Sequence, residues 1–226
     1  MATRVCIFDA YGTLLDVDGA ARAAAAEPGG AALAGHWPGI ARDWRAKQLQ
    51  YTWLRSVAGH HCDFLQVTCD GLDWALEAAG LAGDAALRAR LLQLYRVLPA
   101  YPEVSAVLEA LADRGIPAAI LSNGDPEILE GAVAAAGLGG RLAAILSARD
   151  AGVFKPSARV YDLVGRAFDV ATDEVLFVSS NGWDAAGAAG YGFRTLWVNR
   201  AGQPRERLHA MPQHEARDLN AVTDMI

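Results

Sequence analysis

Four short polar clusters hold the groups in this chain best suited to chemistry. They are Asp9 with Ala10-Tyr11-Gly12-Thr13, Ser122-Asn123, Lys155-Pro156, and Ser179-Ser180-Asn181 through Asp184. A carboxylate acts as a nucleophile when it is positioned and kept ionised. A neighbouring ammonium favours the ionised form, and Lys155 is the candidate to provide one for Asp9. The hydroxyls of Thr13, Ser122 and Ser179 are suited to orienting that carboxylate or binding an anionic substrate. Main-chain N–H groups in the Ala10-Tyr11-Gly12 turn are suited to holding an anion. Taken singly, each cluster has an ordinary explanation. An Asp after an apolar run is often a turn residue, and a lysine is usually a solvated surface group. Four clusters in order, each at the end of an apolar run or just ahead of a helix, point to convergence.

The elements that must position them can be read from the same rows. Val5-Cys6-Ile7-Phe8 is too short for a helix and rich in strand formers, so it reads as a buried parallel strand ending at Asp9. From about residue 17 to 97 the texture is helical. Ala20–Ala26 is alanine-rich and is interrupted by Pro28-Gly29-Gly30. Ile40, Trp44, Tyr51 and Leu54 recur at helical spacing through residues 42–57, with a stop near Gly59. Residues 64–79 and 85–98 read as two further helices. From Tyr101 strands and helices alternate: helix 103–114, strand 117–121, a helix opened by Pro126, strand 142–146, helix 157–168, strand 175–178, a short helix 184–189 and strand 193–198. Such alternation implies a parallel sheet with helices on both faces. Ligands then bind beyond the carboxyl ends of the strands, where the four clusters fall. The fold class is α/β, with an all-helical block inserted after the first strand.

Composition narrows the partners. The chain has 226 residues, 53% of them apolar and 20% charged, with a formal charge of −6. A large core can be buried, and no basic run favours nucleic acid or an anionic membrane. Cys6, Cys62 and Cys69 lack metal-type spacing and read as free thiols of a reducing cytoplasm. No signal-type or membrane-spanning apolar stretch is evident, so a cytoplasmic protein is expected. The five histidines form no metal-like cluster, and His60-His61 reads as a loop pair. Trp37, Trp44, Trp53 and Trp74 read as core or cap packing.

The clusters as written, Phe8-Asp9-Ala10-Tyr11-Gly12-Thr13-Leu14, Leu121-Ser122-Asn123-Gly124, Lys155-Pro156 and Val178 through Asp184, resemble the haloacid dehalogenase superfamily. The segment from Trp44 to Arg55 resembles the L-2-haloacid dehalogenases in particular. The resemblance extends from Val5 to about Asn199. It implies a Rossmann-like core of residues 1–16 and 99–226 and a helical cap of residues 17–98. It also implies a two-step hydrolysis without cofactor or metal. Asp9 displaces halide from the α-carbon of a small (S)-2-haloalkanoate, and water then cleaves the aspartyl ester to give the (R)-2-hydroxyacid. By that resemblance Asp184 and Lys155 orient the nucleophile, and Asp184 aids the water. Thr13, Tyr161, Ser179 and Asn181 support catalysis. Ser122 and the amides at Ala10-Tyr11 take the substrate carboxylate. Tyr11, Leu49, Phe64 and Trp183 wall the pocket, while Arg45, Asn123 and the Trp183 ring edge cradle the halide. A homodimer is the assembly the family implies.

Three positions depart from the family pattern: Ala46 where a longer polar residue is usual, Phe154 where Tyr is common, and Gly182 where Ala is usual. The first is expected to widen the pocket or alter substrate preference. None removes a group that the chemistry needs. Magnesium-dependent phosphatases of the same superfamily are the principal rival. They carry a second Asp two residues after the nucleophile, where this chain has Tyr11, and further carboxylates where it has Ser179-Ser180-Asn181. Halide needs no proton to leave, so dehalogenation loses nothing by Tyr11. A catalytically silent binding module on the same scaffold is the remaining alternative.

Overall fold

Val5–Phe8 forms β1, and all four of its side chains are fully buried. Successive strand residues face opposite sides of a sheet. Both faces are therefore covered here, which is why the apolar run is unbroken rather than alternating. The computed structural model describes residues 2–28 and 31–226. Gly29 and Gly30, expected to interrupt the alanine-rich helix, lie outside the described residues.

After β1 the described chain is helical up to residue 95: α1 (Gly19–Ala26), α2 (Ala31–Ala34), α3 (Trp37–Ala58), α4 (Phe64–Ala78) and α5 (Ala85–Tyr95). α3 stops at Gly59 in the left-handed conformation, as expected. α4 starts with help from a distant group. The Asp125 carboxylate accepts from the Phe64 and Leu65 N–H groups at 3.0 and 2.8 Å, satisfying two donors that a helix start leaves open. The alternating part follows: α6 (Val104–Asp113), β2 (Ala118–Ser122), α7 (Pro126–Ala135), β3 (Ala144–Ser147), α8 (Ala158–Phe168), β4 (Val175–Ser179), α9 (Gly182–Tyr191), β5 (Arg194–Val198) and β6 (His214–Ala216).

The strands make one six-stranded parallel sheet in the order β3-β2-β1-β4-β5-β6. The chain runs outward from β1 to β3 and then crosses back to start the other half at β4. β1 and β4 therefore flank the topological switch point, where the carboxyl ends open a crevice for a ligand. Asp9 follows β1, Ser122-Asn123 closes β2, and Ser179 through Asn181 closes β4. Phe8 pairs in register with Ile120 and Val178, which sets the three clusters at one level.

Among the elements that differ from the sequence reading, two bear on the sheet and its crevice. α9 begins at Gly182 rather than at Asp184 and runs on to Tyr191. Trp183 and Asp184 thus lie in its first turn, where the helix dipole favours an acidic group. β6 had no strand signal. It is three residues long, at the sheet edge, with a polar and partly exposed sequence.

Candidate active site

Asp9 is held by groups from three parts of the chain. It is 6% exposed, and its N–H donates to Val178 O at 2.9 Å, which ties the turn after β1 to β4. Lys155 Nζ donates to its Oδ1 at 3.2 Å. The Thr13 hydroxyl and the Asn181 amide donate to its Oδ2 at 3.0 and 2.9 Å. Thr13 is itself fixed, because its Oγ accepts the Ser180 N–H at 2.8 Å. The carboxylate is thus bonded on both oxygens and held in one orientation.

Lys155 bridges two carboxylates. The same ammonium donates to Asp184 Oδ2 at 2.9 Å and lies 5.0 Å over the centre of the Phe177 ring. Lys155 and Asp184 are 1% and 0% exposed. Burial works against the ammonium, but Asp184 and then Asp9 outweigh it and hold its pKa above the ordinary lysine value. Burial pushes the Asp184 carboxyl upward. Lys155 opposes this, Asp9 adds to it, and the net position is above the usual carboxylate range. Tyr161 reaches Asp184 from α8, its hydroxyl donating to Oδ1 at 2.8 Å. That reach depends on Gly187, where a Cβ would stand 2.7 Å from both the Tyr161 hydroxyl and Pro156.

Arg45 joins the helical block to this centre. It sits half-buried on α3, and its Nη2 donates to Asn181 Oδ1 at 3.2 Å and Tyr11 O at 3.4 Å. Asn181 hands the contact on to Asp9. Asn123 Oδ1 accepts the Lys155 N–H at 2.8 Å, which leaves its NH2 as the end able to donate to a ligand. Tyr11 is buried between Phe64 and Tyr95, with ring centres 5.6 and 5.3 Å away. Its hydroxyl and the Trp183 indole N–H are buried without a protein partner among the described residues. Buried polar groups are normally paired, so each of these has a bond left to make. For Trp183 this adds a true donor to the ring edge expected from the sequence.

The donor set also bears on metals. An ammonium stands between the two carboxylates where a divalent cation would bridge them. Among the described residues no three His, Cys, Asp or Glu side chains gather to hold a metal ion. Mg²⁺ asks for oxygen ligands in near-octahedral array, and these residues do not fit it.

A sequence model of the haloacid dehalogenase-like hydrolases matches residues 3–192. The chain belongs to this family. It is 41% identical over 223 residues to (S)-2-haloacid dehalogenase 1 of Pseudomonas sp. strain CBS-3, covering 99% of this chain and 96% of that protein. It is 40% identical to (S)-2-haloacid dehalogenase 4A of Burkholderia cepacia, covering 99% and 94%. The solved structure of the L-2-haloacid dehalogenase from Xanthobacter autotrophicus, with chloropropionic acid covalently bound, superposes with a TM-score of 0.90. Its identity is 34%, with 99% of this chain and 98% of that one covered.

In this hydrolase Asp9, Thr13, Lys155, Tyr161, Asn181 and Asp184 form one continuous bonded set, and Arg45 and Asn123 join it. Ser122 and Ser179 are buried, and each accepts from a backbone N–H in the loop beyond it, Gly124 and Asn181 respectively. Neither bonds to Asp9, so both shape the strand-end loops. Ala10 is buried, and its carbonyl accepts the Thr13 and Leu14 N–H groups at 3.3 and 3.0 Å. Phe64 is buried, Leu49 is half-buried and Ala46 is exposed on α3. His61 packs against Phe154 at 4.6 Å between ring centres, and His60 is exposed, as a loop pair would be.

One expectation needs correction. Trp44 is buried as expected, but Trp53 and Trp74 are 36% and 40% exposed and are not core residues. Trp53 instead stands edge-on to Trp183, 5.3 Å between ring centres at 81°. Sequence reasoning also missed Gln48, Tyr95 and Asp125. The first had a signal: Gln48 lies three residues after Arg45, on the same helix face.

Proposed function

We propose that this hydrolase converts (S)-2-haloalkanoates to (R)-2-hydroxyalkanoates and halide through an ester on Asp9, with no metal or other cofactor. The observation that carries the reading is the Lys155 ammonium shared by Asp9 and Asp184. It supplies internally the positive charge that a metal-dependent relative would import, and it leaves one carboxylate aligned for attack and a second beside it.

The first step is a displacement. An Asp9 oxygen forms a bond to the α-carbon as the carbon–halogen bond breaks, and the halide departs with the bonding pair. Back-side attack inverts the carbon. Asn123, Arg45 and Trp183 supply donors as negative charge grows on the halogen. Ser122 and the Ala10-Tyr11 turn take the substrate carboxylate, while Tyr11, Leu49, Phe64 and Trp183 wall the pocket. In the second step Asp184 takes a proton from water, which attacks the ester carbonyl carbon of Asp9. Lys155, Thr13 and Asn181, already within bonding distance of the Asp9 oxygens, stabilise the charge that develops there. Collapse expels the hydroxyacid oxygen, which takes up a proton, and restores Asp9. Carbon is not touched again, so the inverted configuration persists.

In this reading residues 17–98 are a cap over a core of residues 1–16 and 99–226. The assembly is a homodimer, supported by the exposed apolar side chains Leu54, Val57 and Trp74 on α3 and α4. The cytoplasm suits the three unpaired thiols Cys6, Cys62 and Cys69. No helix among the described residues is long and apolar enough to cross a membrane.

Enzyme treated exhaustively with EDTA is expected to release chloride from (S)-2-chloropropionate at its full rate and to form (R)-lactate. Added Mg²⁺ is expected to change nothing, and p-nitrophenyl phosphate is expected to be inert. A Mg²⁺ requirement, or phosphatase activity exceeding dehalogenation, would reject the reading in favour of a phosphatase. No turnover of any haloacid would favour a binding module.

Arg45→Ala is expected to slow halide release by about a hundredfold or more, the usual cost of losing one preorganised donor to developing charge. The loss is expected to be larger for chloride than for bromide. Lys at this position is expected to restore only part, since a point charge does not reproduce the planar fork. Equal slowing of both substrates with only KM raised would assign Arg45 to the substrate carboxylate instead.

A further inference from the structure

Gln48 is 1% exposed, yet it touches neither Asp9 nor any of the groups bonded to it. It lies on α3, one turn beyond Arg45. Its side-chain oxygen accepts from Arg45 Nη1 at 2.7 Å. Its NH2 donates to the Thr68 hydroxyl at 2.7 Å and to the Tyr95 hydroxyl at 3.1 Å. Thr68 cannot turn away freely, because its hydroxyl donates to Phe64 O and its carbonyl accepts the Trp44 indole N–H, both at 2.8 Å. α4 presses close at this point: a Cβ on Gly71 would meet Gln48 N at 3.0 Å and Trp44 O at 3.2 Å. The amide is therefore locked with its oxygen toward Arg45. Reversing it would set NH2 against a guanidinium donor.

The chemistry of the acceptors is what distinguishes this arrangement. Charged side chains in protein interiors are normally paired with an opposite charge. Arg45 bonds to Gln48 Oε1, Tyr11 O and Asn181 Oδ1, and all three are neutral. Among the described residues no carboxylate lies within ion-pair distance of it. Asp18 borders the same small cavity of about 10 Å³ and feels the Arg45 charge through space, but it makes no hydrogen bond or ion pair with the guanidinium. A Glu at position 48 would match Gln in shape and reach and would pair the guanidinium, at the cost of the bond now donated to Thr68. The chain places the neutral isostere there instead.

We propose that Gln48 is a positioning residue that fixes the Arg45 fork through a neutral acceptor, so that its charge stays free of an ion-pair partner until the leaving halide takes it up. The inference rests on the role given to Arg45 above. A neutral acceptor supplies orientation without lowering the positive field, whereas a carboxylate supplies orientation at the expense of that field.

Two substitutions separate charge from orientation. Wild type, Q48E and Q48M are compared by rapid-quench measurement of halide release from (S)-2-bromo- and (S)-2-chloropropionate, by the rate of the later ester hydrolysis, and by inhibition with free bromide. Q48E is expected to slow chloride release by about tenfold or more, the scale of a bond to a charged group. It is also expected to raise the bromide-over-chloride rate ratio and to weaken bromide inhibition, with ester hydrolysis unchanged. Q48M keeps the charge but frees the fork. It is expected to slow release of both halides by about tenfold on the same scale, with KM little changed and bromide still inhibitory.

An unchanged rate ratio and unchanged bromide inhibition in Q48E would overturn the proposal, as would wild-type release rates in Q48M. Should Q48E fail to fold, Q48M alone decides, because ester hydrolysis that slows in step with halide release marks general damage and also overturns it. The underlying reading fails separately, if Arg45→Ala leaves the rate ratio of the two substrates unchanged. If Arg45→Ala alters that ratio and the Gln48 variants do not, only the present inference falls.

Discussion

Replacing Asp184 by Asn is expected to leave an enzyme that releases one halide per active site and then stalls. Asn keeps the shape of the side chain and an oxygen for the Tyr161 hydroxyl, which donates to Asp184 Oδ1 at 2.8 Å. It removes the base that takes the proton from water. Displacement by Asp9 needs no base, because halide leaves unprotonated, so the first step proceeds. Ester hydrolysis is expected to slow by about a thousandfold, within the range for loss of a positioned general base. Rapid-quench halide measurement should show a burst equal to the site concentration. Peptide mass spectrometry should find the carboxyalkyl adduct on the peptide bearing Asp9. A variant without a burst, slowed equally in halide release, would assign Asp184 to the displacement step.

Lys155→Met carries the second large effect, and it bears on stability as well as rate. The Lys155 ammonium is 3.2 Å from Asp9 and 2.9 Å from Asp184, and all three side chains are buried. Removing one partner of a buried ion pair leaves its charge uncompensated, at a cost of about 3–5 kcal/mol. Here two carboxylates would lose a shared cation, and one is expected to take up a proton instead. The direction in pH follows from the groups around Asp184. Burial and Asp9 raise its pKa, while Lys155 and Tyr161 hold it down. Without Lys155 it rises further. The base works only when unprotonated, so kcat falls as pH drops through that pKa, and in the variant this acid limb is expected at higher pH than in wild type. Activity is expected to fall about a thousandfold or more, since the charge that stabilises the ester oxyanion goes with it. Urea unfolding across pH and a kcat–pH profile would check both parts. Wild-type stability with an unshifted acid limb would show that Lys155 is not the counter-charge of this centre.

The parts of the molecule that were legible in the sequence are those where one residue type has one physical use. Val5–Phe8 is apolar at every position because β1 is covered on both faces, and such a run ending in Asp reads as a strand end beside a crevice. The same holds for Leu121-Ser122 and Val178-Ser179. The contacts between those ends were partly hidden. Thr13 and Asn181 bond directly to Asp9, but Ser122 and Ser179 accept from backbone N–H groups of their own loops, and no sequence pattern separates the two behaviours. Asp125 looked like an ordinary residue before Pro126, yet it caps α4 across 60 positions or more of chain. Gln48 was not singled out within the Trp44–Arg55 segment, and its burial depends on α4 packing closely at Gly71. Trp53 and Trp74 were expected to pack because indoles usually do, but α3 and α4 present them partly outward. β6 was invisible because an edge strand of three residues, His-Glu-Ala, is too short to carry an alternation.

The origin of the product oxygen tests the aspartyl ester most directly. In a single turnover of (S)-2-chloropropionate in H₂¹⁸O with enzyme in excess, the (R)-lactate hydroxyl is expected to carry ordinary oxygen taken from Asp9. The heavy label is expected in the Asp9 carboxylate, recovered on its peptide. Label in the lactate hydroxyl on that first turnover, with none in Asp9, would show that water attacks the α-carbon itself, and it would contradict the assignment of Asp9 as the nucleophile.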